Sequence, residues 1–127
     1  MVITSKDNEL VKHVKKLKDK KYRDESNEFV IEGIKLIEEA FNEKADIKKI
    51  IICDDCNLDG DIYNSLKYEI AKEECIYVSS KIFEYISDVK TPQGIMAIIE
   101  KKNNKEHIKY DDDLILILDN IQDPGNM

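Results

Sequence analysis

Apolar positions along the chain follow two rhythms, a spacing of three to four residues and a period of two, and these divide it into helices and strands. Leu10, Val14 and Leu17 recur at the helical spacing with lysines around the rest of the cylinder. An amphipathic basic helix is therefore predicted from a Ser5 cap through about Lys20. Asn27 to Ile31 reads as a strand, and Glu32-Gly33 marks the switch into a second helix with Ile34, Ile37, Ala40 and Phe41 on one face. The β-branched run from Lys49 to Cys53 predicts a buried strand followed by an acidic loop. Ile62, Leu66, Ile70 and Ala71 outline a third helix, and Ile76 to Val78 a short strand. Ser79 or Ser80 then caps a brief helix holding Ile82, Phe83 and Ile86, which Thr91-Pro92-Gln93-Gly94 ends before a fourth strand from Ile95 to Glu100. Strands alternating with helices predict an α/β fold, a three-layer α/β/α domain of about four strands over residues 1–100.

Residues 101–113 are polar and charged enough to read as a linker. Leu-Ile-Leu-Ile-Leu at 114–118 is an unbroken apolar run, the pattern of a strand buried on both faces of a parallel sheet. Such a strand needs neighbours, so residues 114–127 are expected to begin a second domain that continues past Met127. Asp123-Pro124-Gly125-Asn126 forms a turn after it, because proline presets φ and the glycine can take a positive value. Catalytic loops of α/β domains commonly sit at such strand ends.

Composition adds a thin, well-solvated body: 37% of residues are charged, against about 25% in an average protein. No apolar run approaches the roughly 18–20 residues of a membrane helix, and no signal segment opens the chain, so a cytoplasmic protein is expected. The net charge of −7 argues against a polyanion partner until its distribution is seen. Residues 1–23 carry a net +5 and the remainder −12. That asymmetry makes Lys12, Lys15, Lys16, Lys20 and Arg23 candidate phosphate contacts, with Arg23 foremost because its fork can grip phosphate bidentately. The plain alternative is a solvated helix face. Cys53, Cys56 and Cys75 are an odd number without a secretion signal, so reduced thiols are expected. Cys53-Asp54-Asp55-Cys56 has the spacing of half a zinc site or of a redox pair, but a second pair is missing, and a strand end followed by an acidic loop is expected rather than metal or redox chemistry. His13 and His107 have no partner visible in the sequence, so exposed or packed neutral rings are expected.

Four stretches in order carry a resemblance: Lys20-Lys21-Tyr22-Arg23, Phe29-Val30-Ile31-Glu32-Gly33, Thr91-Pro92-Gln93-Gly94-Ile95, and Leu118-Asp119-Asn120-Ile121-Gln122-Asp123-Pro124-Gly125-Asn126. Together they resemble the SpoU/TrmH family of RNA ribose 2′-O-methyltransferases, covering the amino-terminal substrate-binding domain and the first motif of the catalytic domain. The resemblance implies a ribosomal-protein-like, kink-turn-binder-like domain that presents RNA to a knotted, homodimeric SPOUT domain. That second domain would bind S-adenosylmethionine, and the substrate would be ribosomal or transfer RNA, the two-domain layout being most similar to that of the ribosomal RNA members. It also implies that Asn126 is the asparagine of the first catalytic motif and that a catalytic arginine follows beyond residue 127.

A ribose hydroxyl is a poor nucleophile while protonated, so transfer needs a base or an electrostatic aid and an aligned donor. An asparagine amide can orient groups but cannot act as the base. The chain by itself is therefore expected to bind RNA, hold no cofactor, be monomeric and be inactive. Gly33, at a helix start, is either part of an anion site or a structural turn. Thr91 and Gln93 either hydrogen-bond a base or 2′-hydroxyl, or simply set the entry to the last strand. The rival readings are a free-standing RNA-binding protein of the kink-turn-binder type and an acidic protein-interaction domain.

Overall fold

The computed structural model describes residues 1–58, 60–90 and 92–101. Its elements in order are β1 (Val2–Ile3), α1 (Glu9–Lys16), α2 (Lys20–Ser26), β2 (Glu28–Glu32), α3 (Ile34–Asn42), β3 (Asp46–Cys53), α4 (Asp61–Ala71), β4 (Cys75–Val78), α5 (Ser80–Ile86) and β5 (Ile95–Glu100). The strands form one mixed sheet in the order β1-β4-β3-β5-β2. β1, β4 and β3 run parallel, whereas β5 is antiparallel to both β3 and β2.

Period-two side-chain alternation sorts the sheet into two cores. Ile95, Ala97 and Ile99 join Phe29, Ile31, Ile50 and Ile52 beneath Ile37 and Ala40 of α3 and Leu66 and Ile70 of α4. Met96 and Ile98 join Ile51, Cys53 and Val78 beneath α1 and α5 on the opposite face. Every residue from Ile95 to Ile99 is buried, which is why β5 reads as an unbroken apolar run. The α/β/α layering of the sequence expectation is therefore present. No helix among the described residues is long and apolar enough to cross a membrane.

The details depart from expectation in five places. The single helix expected from Ser5 to about Lys20 is the shorter α1, and a separate helix, α2, begins at Lys20. α1 is capped by Asn8, whose Oδ1 accepts from the backbone N–H groups of Leu10 and Val11, while the Ser5 hydroxyl accepts from Asp7 N–H. It ends as the bonds tighten to Lys18 N–H on Lys15 O and Asp19 N–H on Lys16 O, and Asp19 turns extended before α2. The sheet has five strands, because the two-residue β1 pairs with the edge of β4. β3 begins at Asp46 rather than Lys49.

The fourth departure concerns the thiols: Cys53 and Cys56 are joined in a disulfide, and only Cys75 is free. The turn after β3 brings their Cα atoms to 5.3 Å, inside the range a disulfide needs. The fifth is His13, which is neither free nor plainly packed. Its Nε2–H donates to Glu28 Oε1 at 2.6 Å and its Nδ1 meets the Tyr22 hydroxyl at 2.8 Å. The expected linker at 101–113 and strand and turn at 114–127 lie outside the described residues, apart from Lys101.

Candidate functional site

Strands β1, β2, β3 and β4 all finish at one end of the sheet, and β5 starts there, as the pairings Ile3 with Val78, Cys53 with Val78, Glu32 with Met96 and Ile52 with Ile95 show. Loops at this end of an α/β sheet are where ligands are commonly held. Two expected site residues meet there. Gly33 precedes α3, and the Gln93 side chain reaches across so that its Oε1 accepts from Ile34 N–H at 2.9 Å. A Cβ on Gly33 would sit 3.2 Å from that same oxygen. Gln93 thus caps α3 from a turn 59 positions away, which the sequence left open between a ligand contact and a plain turn. Its amide nitrogen carries two donors that this bond does not use. Thr91 and Asn126 lie outside the described residues.

Glu32, beside Gly33, is half-buried and bonded to the end of α5. Its carboxylate accepts from the Ser87 hydroxyl and from Asp88 N–H, tying the end of β2 to the end of α5. Burial pushes the Glu32 carboxyl above its ordinary 4.5, against the pull of those two hydrogen bonds. A carboxyl raised in the folded state holds its proton more tightly there than in the unfolded chain. Its stabilising contribution is then full below about 4.5 and is lost as pH rises through the folded pKa. Glu32→Gln is expected to remove this decline. Urea midpoints measured from pH ~4 to ~7 would show it, and parallel wild-type and variant profiles would contradict it.

The basic residues occupy a second surface, built by α1, α2 and α5. Val11, Val14 and Leu17 face the core, which turns Lys12 and Lys16 outward. Lys15 reaches over α5, where its ammonium lies 4.3 Å from the centroid of the Tyr85 ring and donates to Tyr85 O at 3.2 Å. Lys6 approaches the same ring at 4.5 Å. Lys16 lies 5.8 Å from the ring of Tyr22, which His13 holds in place. Among the described residues, Lys6, Lys12, Lys15 and Lys16 have no carboxylate in salt-bridge range, whereas Lys18, Lys20, Lys48, Lys49 and Lys101 do. Lys20 of the expected set is thus paired with Asp24. Arg23 is partly committed as well: its Nη1 donates to Leu17 O and Lys18 O at 3.0 Å each, closing the end of α1. Its Nε and Nη2 carry the other three donors. Lys6 and Tyr85 were missed in the sequence, because nothing local links a loop lysine to a tyrosine on a distant helix.

The family model for an MRM3-like substrate-binding domain matches residues 8–97. The chain belongs to that family. The MRM3-like match agrees with the SpoU/TrmH resemblance read from the motifs. The 23S rRNA (guanosine(2553)-2′-O)-methyltransferase RlmP of Bacillus subtilis is 32% identical over 125 residues, which is 98% of this chain and 46% of that protein. The mitochondrial rRNA methyltransferase 3 of Xenopus laevis is also 32% identical, over 95% of this chain and 29% of its own length. The chain therefore spans less than half the length of these relatives. A solved RNA 2′-O ribose methyltransferase superposes with a TM-score of 0.72 at 23% identity, covering 85% of this chain and 40% of that one. An rRNA methyltransferase from Sinorhizobium meliloti, solved with AdoMet bound, gives 0.64 at 24% identity, over 82% of this chain and 38% of its own. At those identities the likeness concerns the fold.

Proposed function

We propose that this MRM3-like domain holds ribosomal RNA for an S-adenosylmethionine-dependent enzyme that methylates a ribose 2′-hydroxyl. The observation that carries the reading is the alignment with RlmP along 98% of the chain at 32% identity. Backbone phosphates lie against Lys12, Lys15 and Lys16, with Lys20 and Arg23 at the margin. Gly33, Thr91 and Gln93 form a second contact at the sheet end, where the Gln93 amide can donate to a base or a 2′-hydroxyl. Residues 114–127 supply the first strand and turn of a knotted catalytic part, with Asn126 orienting groups at the reaction centre. S-adenosylmethionine supplies the methyl group there and is assigned to no described residue. The three-layer domain is then a ribosomal-protein-like RNA holder, and dimer formation belongs to the catalytic part.

The test separates binding from transfer. The 127-residue chain is expected to bind ribosomal RNA fragments with an affinity that falls as salt rises, and to transfer no methyl group from labelled S-adenosylmethionine. The full-length gene product is expected to leave a label on a 2′-hydroxyl of ribosomal RNA. Salt-insensitive or absent binding would overturn the RNA role. Methyl transfer by the chain alone would overturn the division of labour.

A further inference from the structure

The loop Cys53-Asp54-Asp55-Cys56 plays no part in RNA holding as proposed, yet it touches the start of α5 and the turn that caps α3. Cys53, the last residue of β3, is buried, and its disulfide partner Cys56 is half-buried, so only one end of the bond is open to a sulfur from solvent. Cys53 N–H donates to Gly94 O at 2.8 Å, and Gly94 lies against both cysteine side chains. Gly94 directly follows Gln93, the cap of α3. On the other side, the Asp55 carboxylate accepts from Ser80 N–H at 2.9 Å and from the Ser80 hydroxyl at 3.1 Å, which holds the first turn of α5.

We propose that Cys53 and Cys56 are a thiol–disulfide exchange site for a dithiol reductant, and that its state sets how firmly the starts of α3 and α5 are held. In the exchange, a thiolate of the dithiol attacks Cys56 Sγ, the S–S bond breaks, and Cys53 leaves as a thiolate that takes up a proton. The second thiolate of the reductant then attacks the mixed disulfide and frees Cys56, which is protonated in turn. Two electrons and two protons reach the chain, and the reductant ends as a disulfide. The consequence falls on Asp55. Cys53 Sγ lies 3.5 Å from Asp55 Oδ1, the same oxygen that accepts from Ser80 N–H. A disulfide sulfur has no proton to donate, and a thiol does. Reduction therefore gives Asp55 a competing donor and releases the covalent clasp beside the Gly94 turn.

The site stands apart from the RNA reading, since its test uses no RNA. A chain carrying Cys75→Ser leaves this pair as its only cysteines. Equilibrated with dithiol and disulfide in graded ratios and then alkylated with N-ethylmaleimide, it is expected to pass in one two-electron step from zero to two adducts by mass. Amide hydrogen exchange at Ile34 and Ser80 is expected to quicken about tenfold on reduction. Cys56→Ser in the same background, altered at the more accessible cysteine, is expected to exchange like the reduced chain in every buffer. Two adducts at every ratio, or equal exchange in both states, would overturn the proposal. So would tight binding of one zinc ion that blocks alkylation of the reduced pair, because Cys53, Cys56 and Asp55 offer three ligand atoms within 4.8 Å of one another.

Discussion

A chain carrying Lys6→Gln, Lys12→Gln, Lys15→Gln and Lys16→Gln together is expected to lose most of its affinity for RNA, roughly 100-fold near 0.2 M salt. Each lysine that neutralises a phosphate of a single strand contributes about −0.7 to the slope of log affinity against log salt. Removing four is expected to flatten that slope by about 3, with the loss growing as salt is lowered. The expectation rests on pairing. These four ammonium groups have no carboxylate in range among the described residues, and two of them gather on the exposed Tyr85 ring, where like charges repel until an anion arrives. Glutamine keeps side-chain length and polarity, so the fold should be untouched by circular dichroism. Lys48→Gln with Lys49→Gln is the control, because Lys48 is already matched by Glu100 and Lys49 by Glu74. A slope unchanged by the fourfold variant would remove this face from the RNA path.

Gly94→Ala is expected to destabilise the chain by about 3 kcal/mol, a fall of roughly 15 °C in Tm. Two costs combine. Gly94 has φ of +100°, a backbone conformation that side chains of L-residues rarely adopt. An added Cβ would also come within 3.0 Å of Cys56 Cβ and 3.2 Å of Cys53 Cβ, two atoms that the disulfide and the end of β3 keep from moving away. Gly60→Ala separates the costs, since Gly60 has φ of +108° but, among the described residues, nothing within 4 Å of an added Cβ. It is expected to lose only the backbone part, about 1–2 kcal/mol. Equal losses at the two glycines, read by thermal or urea unfolding, would show that crowding at the cysteine pair contributes nothing.

The elements that were legible in the sequence are those whose burial pattern is complete within a few residues. β5 announced itself because both faces of Ile95–Ile99 are covered, and α5 because Ser79 accepts from Ile82 N–H ahead of three apolar residues at helical spacing. β1 did not, because Val2 and Ile3 become a strand only through the edge of β4 and the bond from Ser79 N–H to Ile3 O. The break between α1 and α2 was hidden for a similar reason. No glycine or proline marks Lys18-Asp19, and the break is held by Arg23 folding back on two carbonyls. In the candidate site, the lysine excess was visible as charge, whereas the Lys6–Tyr85 contact and the reach of Gln93 to Ile34 join residues far apart in sequence. The cysteine spacing was visible too, but whether the sulfurs meet depends on a turn that composition does not encode.

The place of β5 carries a consequence for the order in which the chain is made. β2 pairs with β5 and with no other described strand, and β5 lies between β2 and β3 although it is the last of the described strands to leave the ribosome. Until residue 100 has emerged, the nascent chain holds a three-stranded piece, β1-β4-β3, and a β2 segment with no ladder to join. The α3 cap appears at the same late moment, because Gln93 sits just ahead of β5. Completion of the five described strands and the capping of α3 at the candidate RNA-contacting end are therefore one event, timed by the arrival of β5.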